Sequence, residues 1–216
     1  SVHGILDNKI EVKEGAIVVD GVEVKVFSER NPEDLPWKEL DISVVVESTG
    51  IFRSKEGAAK HLKSGAKKVI ISAPAKGEVD ATIVLGVNDE ILKAEHTIIS
   101  NASCTTNCLA PVMKVITDNF TVESALMTTI HSYTMDQRLL DFPHSDLRRA
   151  RAAALNIIPT TTGAATATAK VIPELKGKID GMAVRVPTPT GSLVDVSIIV
   201  DRKTSQEEIN KLMKAA

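Results

Sequence analysis

A β-branched run at Val44-Val45-Val46-Glu47 is followed by Ser48-Thr49-Gly50, then by Ala58, Ala59 and Leu62 at helical spacing, then by a second apolar run over 68–72. This order constrains the fold more than any other feature. A strand, a helix and a second strand joined by short connections form a crossover between parallel strands, and such units build open α/β sheets. A run as apolar as 44–47 is of the type buried on both faces of a parallel sheet. The ligand crevice of these sheets lies at the carboxyl ends of the strands, where Thr49 and Ser72 fall. Ordinary turn chemistry at strand ends is the plain alternative for both.

The flanks read differently. Residues 10–27 alternate as strands do, and Asp20-Gly21 reads as a tight hairpin turn. After Ile179 the pattern turns to longer strands over 182–186 and 193–200, followed by an amphipathic helix from Ser205. The shift predicts a partial dinucleotide-binding, Rossmann-like parallel sheet over 1–103 and a mixed-sheet α+β domain over 104–216. A hydrophobic content of 43% in 216 residues suffices for a core. A net charge of -2 and 3% aromatics argue against nucleic acid, and no apolar run reaches the roughly 18 residues of a membrane span. Two cysteines and scattered histidines lack the paired spacing of a metal site, so no metal is expected.

The chemistry concentrates in Ser103-Cys104-Thr105-Thr106-Asn107-Cys108. Before it, 96–102 reads as a strand leaving the core. After it, Leu109, Val112, Met113 and Ile116 predict a helix over 105–120, capped by Ser103 or Thr105 and weakened locally by Pro111. A thiol at such a junction meets free N–H groups and the positive end of the helix dipole, which favour the thiolate. A strand over 123–133 then puts Met127, Thr129, His131 and Tyr133 on one face. Parallel strands end at one edge, so His131 is expected beside Cys104. Cys108 stands one helical turn on and is read as structural, with a redox pairing to Cys104 as the open alternative.

Thr160-Thr161-Thr162-Gly163-Ala164-Ala165 precedes another helical run and offers hydroxyl and N–H groups to an anion. Arg148, Arg149 and Arg151 lie just upstream, and Arg185 sits in a strand that turns at Pro187. Arginine forks match phosphate oxygens. A thiol between two such places points to a phosphorylated carbonyl substrate, while a solvated or subunit-contact surface is the alternative for Arg148 and Arg151.

The blocks ESTGIFRSKEGAAKHLKSGAKKVIISAP, SNASCTTNCLAPVMKVI, TTIHSYTMDQRLLDFPHSDLRRARAAALNIIPTTTGAA and GMAVRVPTP, in that order, resemble the phosphorylating glyceraldehyde-3-phosphate dehydrogenases over nearly the whole chain. The resemblance implies that Cys104 is the nucleophile and His131 its base. It implies that Ser103, Thr105, Thr134, Arg149, Thr162, Gly163 and Arg185 hold the substrate phosphate and the attacking inorganic phosphate, with three neighbouring arginines competing for the place given to Arg149. Arg30, Thr49 and Ser72 match positions that line the dinucleotide, NAD or NADP. The implied reaction oxidises glyceraldehyde 3-phosphate through a cysteine thioester that inorganic phosphate opens. A cytoplasmic protein, homotetrameric in its full-length parent, is implied as well. Erythrose-4-phosphate dehydrogenase shares the thiol and histidine, and a non-catalytic interaction surface is the rival from another class. The sequence contains no glycine-rich phosphate loop, so an interior fragment is expected; Met135 stands where the family commonly has asparagine, and Thr166 where it has lysine.

Overall fold

The computed structural model describes residues 2–216, and three sheets form among them. Strands β1 (Ile10–Lys13), β2 (Ala16–Val19) and β3 (Val22–Lys25) make an antiparallel meander. Asp20 and Gly21 turn between β2 and β3 at φ of 50° and 85°. Two consecutive positive φ values are what a primed hairpin turn demands, which is why aspartate and glycine stand there. The Asp20 carboxylate fastens the turn by accepting the Lys9 N–H at 2.8 Å.

The second sheet is parallel, in the order β4 (Val44–Glu47), β5 (Lys68–Ile71), β7 (Ile98–Ser100), β6 (Ala81–Thr82). Helix α1 (Lys55–Lys63) connects β4 to β5, its first turn capped by the Ser54 hydroxyl, which accepts the Gly57 N–H at 3.1 Å. Ala58 of α1 packs on Val69, Ile71 and Ile98, all buried. One expectation fails here. Strand β4 is not buried on both faces: Val45 and Glu47 point inward, but Val44 and Val46 remain 46% and 60% exposed. It is an edge strand, and among the described residues α1 covers one face of the sheet only.

The third sheet is mixed. Strand β8 (Val122–Ser132) lies between β11 (Ser192–Val200), antiparallel to it, and β10 (Ile179–Val186), parallel to it, and β9 (Ile158–Thr160) closes the far side of β10. Helix α2 (Cys104–Asn119) joins the parallel sheet to β8, and α3 (Ala164–Val171) joins β9 towards β10. Leu109, Met113 and Ile116 of α2 bury against Ala125 and Met127 of β8 and against Ala165 and Val171 of α3. The terminal helix α4 (Gln206–Ala215) adds Ile209, Leu212 and Met213 to the same core. Pro111 lies inside α2 on its exposed side and neither ends nor moves the helix.

Strand β10 begins earlier than its sequence pattern suggests, because Gly181 belongs to it. A Cβ at Gly181 would lie 2.4 Å from the carbonyl oxygen and Cγ of Met127, its partner across the parallel pair. The residue that interrupts the apolar pattern is the one that lets β8 and β10 approach.

Candidate active site

The thiol is presented by a strained junction. Strand β7 ends at Ser100, and Ala102, buried to 1% exposure, takes φ of 56° before α2 begins at Cys104. A left-handed alanine costs about 1 kcal/mol. The turn is held from both sides: Ser100 Oγ accepts the Ala102 N–H at 3.1 Å, and the Asn107 amide donates to Asn101 O at 2.7 Å and Ser103 O at 2.9 Å. Of the two caps expected, Ser103 serves, its Oγ accepting the Thr106 N–H at 3.0 Å. Cys104 is thereby the first helical residue, exposed, while Cys108 points out one turn away as a second free thiol.

His131 approaches from β8. Its Nε2 lies 3.3 Å from Cys104 Sγ, and its Nδ1 lies 2.7 Å from Ser132 O. A carbonyl oxygen only accepts, so Nδ1 carries the ring proton and Nε2 turns its lone pair to the thiol. Register fixes the third member. Arg185 of β10 pairs with His131 across the parallel strands, and its Nη1 donates to Thr134 Oγ1 at 2.7 Å and to Ser132 O at 3.2 Å. Nη1 also lies 3.3 Å from His131 Nδ1. Two donors cannot bond each other, so the carbonyl of Ser132 is shared between them.

The Arg185 guanidinium is half-buried, makes no ion pair within 4.0 Å among the described residues, and leaves its Nε buried with no partner. Burial, with the nearby Arg149 cation, lowers its pKa against the pull of Asp136 and Cys104. It remains charged, since guanidinium does not deprotonate in proteins. A cation so placed favours an anion in front of it.

These groups face one cavity of about 200 Å³. Ser103, Cys104, Thr105, His131, Thr134, Thr162, Gly163 and Arg185 all line it, so eight of the expected site residues converge. Thr162 and Gly163 bring the N-terminus of α3 to its wall, Thr162 Oγ1 accepting the Ala164 N–H at 3.1 Å. Three larger cavities, of about 390, 410 and 290 Å³, lie on the bare face of the parallel sheet, beside Met135, and between Ala102 and Thr166. Thiol, imidazole and guanidinium meet only in the smaller one among the described residues, and chemistry rather than volume locates the site.

Arg149 stands apart from that wall. It ion-pairs with Asp136, donates from Nε to Thr160 Oγ1 at 3.0 Å and from Nη2 to Thr161 O at 3.3 Å. Asp136 in turn accepts the Thr134 hydroxyl proton, so Arg149 reaches the cavity through two intermediaries. Burial raises the Asp136 carboxyl, but the Thr134 hydroxyl and the Arg149 and Arg185 cations outweigh it and hold it below the usual carboxylate range. Sequence reading missed Asp136, Asn107 and Ala102. Asp136 lies two residues from Thr134 in an exposed stretch without periodicity, and an alanine carries no sign that it will be left-handed.

Thr49 and Ser72 sit at the carboxyl ends of β4 and β5, and Pro74, just beyond Ser72, lines the thiol cavity. Arg30 is exposed ahead of the short 3-10 turn at Pro32–Asp34. Met135 is fully exposed, and Thr166 is exposed on α3. Among the described residues no cluster of three His, Cys, Asp or Glu side chains is placed to hold a metal ion, and no helix is long and apolar enough to cross a membrane.

A strained turn carrying a thiol, an imidazole from the neighbouring sheet and an anion-seeking arginine can be set beside known proteins. Residues 103–216 match the family model described as glyceraldehyde 3-phosphate dehydrogenase, C-terminal domain. The chain belongs to the glyceraldehyde 3-phosphate dehydrogenase family. Residues 1–55 match that family's NAD binding domain. Similar proteins include glyceraldehyde-3-phosphate dehydrogenase 2 of Streptomyces avermitilis, at 59% identity over the whole chain and 64% of the relative. Glyceraldehyde-3-phosphate dehydrogenase of Geobacillus stearothermophilus is 59% identical over the same shares, and that of Borreliella burgdorferi 55% identical over the whole chain and 66% of its own length. The chain thus spans 64% of the length of the first of these relatives.

Proposed function

We propose that the chain carries the thiol, base and phosphate sites of a dehydrogenase that converts glyceraldehyde 3-phosphate and inorganic phosphate to 1,3-bisphosphoglycerate. The observation that carries the reading is the 3.3 Å contact between Cys104 Sγ and a His131 Nε2 whose opposite nitrogen is tied to Ser132 O. With that tautomer His131 accepts the thiol proton, and Cys104 attacks the aldehyde carbon to form a thiohemiacetal. The imidazolium then gives its Nε2 proton to the new oxyanion, which the free N–H groups at the start of α2 also face, and the thiohemiacetal hydroxyl forms. His131, neutral again, takes that hydroxyl proton back as the carbon is oxidised to a thioester on Cys104. A nicotinamide dinucleotide, when bound, supplies the hydride acceptor.

The residues present fit part of that group. Thr49 and Ser72 place hydroxyls at the crevice of the parallel sheet, and Pro74 carries the crevice to the thiol cavity. Arg30 would add a cationic contact, and either NAD or NADP suits these three. Arg185, its Nη1 held by Thr134 Oγ1, forms one anion site, for the substrate phosphate. Thr162, Gly163, Ser103 and Thr105 form the other, for the phosphate that opens the thioester, with Arg149 held behind it by Asp136. Leu139, Leu140, Phe142, Leu147 and Leu155, each at least 66% exposed between β8 and β9, support a homotetramer in which further copies cover them. A thiol that must stay reduced supports the cytoplasm.

The decisive test is acyl-enzyme formation. Cys104→Ser abolishes it and Cys108→Ser leaves most of it, read by mass spectrometry after mixing with dinucleotide and aldehyde. His131→Asn slows oxidation about 10²–10⁴-fold, the usual worth of general base catalysis. Acylation at Cys108 would overturn the assignment.

A further inference from the structure

Glu47 closes β4 at 3% exposure, and no step above uses it. Its Oε1 accepts the main-chain N–H of Thr49 at 2.8 Å and also the Thr49 hydroxyl proton. Its Oε2 accepts from His61 Nε2 at 2.9 Å. On the other side of that ring Trp37 Nε1 lies 3.1 Å from His61 Nδ1. An indole nitrogen only donates, so Nδ1 is the acceptor and the ring proton sits on Nε2, aimed at Glu47. Trp37 gives to His61 and His61 gives to Glu47, and the carboxylate is left as acceptor on both sides.

The consequence falls on Thr49. A hydroxyl has one proton and two lone pairs. The proton goes to Glu47, and one lone pair accepts the Ile51 N–H at 3.1 Å. What Thr49 offers outward is a single lone pair. The same glutamate holds Ser72 as well, because its main-chain carbonyl accepts the Ser72 N–H at 3.1 Å and the Ser72 hydroxyl at 3.3 Å.

We infer that Glu47, set by Trp37 and His61, is a positioning residue of the dinucleotide crevice: its carboxylate fixes Thr49 as a hydrogen-bond acceptor, beside a Ser72 already held as one by the main chain, selecting a ribose hydroxyl or base amine and not a phosphate oxygen at Thr49. The inference rests on the reading that Thr49 and Ser72 face the dinucleotide. Glutamine in place of Glu47 has nearly the same shape but accepts on one side only. Either Thr49 or His61 then meets an amide N–H, and the arrangement breaks without a cavity.

The test is calorimetric titration with NAD of the protein and of Glu47→Gln, Thr49→Val and the double variant. Each single change is expected to raise the Kd about tenfold, the scale of one well-made hydrogen bond between neutral groups. The double variant is expected to lose no more than the worse single one, since both act through one hydroxyl. Alkylation of Cys104 by iodoacetamide at the unchanged rate in every variant shows the thiol site folded. A wild-type Kd in Thr49→Val would refute the underlying reading that Thr49 faces the dinucleotide. A weakened Thr49→Val with an unaffected Glu47→Gln, or losses that simply add, would overturn the positioning role alone.

Discussion

Two threonines at the proposed binding edges share one device: each surrenders its hydroxyl proton to a carboxylate two residues away, Thr49 to Glu47 and Thr134 to Asp136. At Thr134 this leaves Arg185 as the group that meets an incoming anion, because the threonine already accepts from its Nη1 at 2.7 Å and has no proton to spare. Arg185→Leu is therefore expected to cut kcat/KM for phosphorylated aldehydes about 10- to 100-fold, the worth of charge-assisted hydrogen bonds, and to spare unphosphorylated ones. Steady-state kinetics on the two substrate types decides it, and equal losses on both would mark the arginine as a strut for His131 and Thr134. The thiol, the histidine and this arginine were legible in the sequence because reactive residue types stood at element ends. The carboxylates behind them were not, since an aspartate in an irregular segment looks the same whether it is solvated or holds a threonine.

At the scale of elements, the site depends on how closely β8 and β10 run together, because their register alone sets His131 opposite Arg185. Gly181 permits that closeness. Gly181→Ala places a methyl against Met127 backbone, and the strands must part or shift. Overpacking of this kind costs about 1–3 kcal/mol, so a drop in Tm of several degrees is expected, together with a slower Cys104 acylation that other core substitutions of equal cost do not produce. Differential scanning calorimetry and acylation rates on the same samples check both parts. The sequence pattern foretold the crossover, the parallel sheet, the Asp20-Gly21 turn and the start of α2 near the thiol, since each rests on local spacing or local turn chemistry. It missed Gly181 as a strand residue and the bare face of β4, because close approach and edge position are properties of neighbours far along the chain.

For the whole molecule, three depressed carboxylates tie distant segments together and make acid the natural denaturant. Asp80 is held far below the ordinary range chiefly by the Lys55 ammonium at 2.7 Å; burial opposes this, and the N–H groups of Ile98 and Thr97 help. It thus fastens α1 to β7. Burial would raise Glu47, yet Thr49 and His61 keep it low, and Asp136 fastens the segment after β8 to Arg149. A carboxyl whose folded pKa lies below its unfolded value of about 4 contributes stability that is fully present above that value and is lost as pH falls towards the folded one. Stability is accordingly expected to hold level from pH 7 to about 5 and to fall steeply below about 4. Asp80→Asn should lower the Tm at pH 7, modestly because Lys55 is half-exposed, and should flatten the fall between pH 5 and 3, because the variant has no proton to gain there. Thermal melts of both proteins across that range make the comparison. Curves that stay parallel down to pH 3 would show that the proton uptake driving unfolding occurs elsewhere, leaving Glu47 and Asp136 as the carboxylates whose protonation opens the fold.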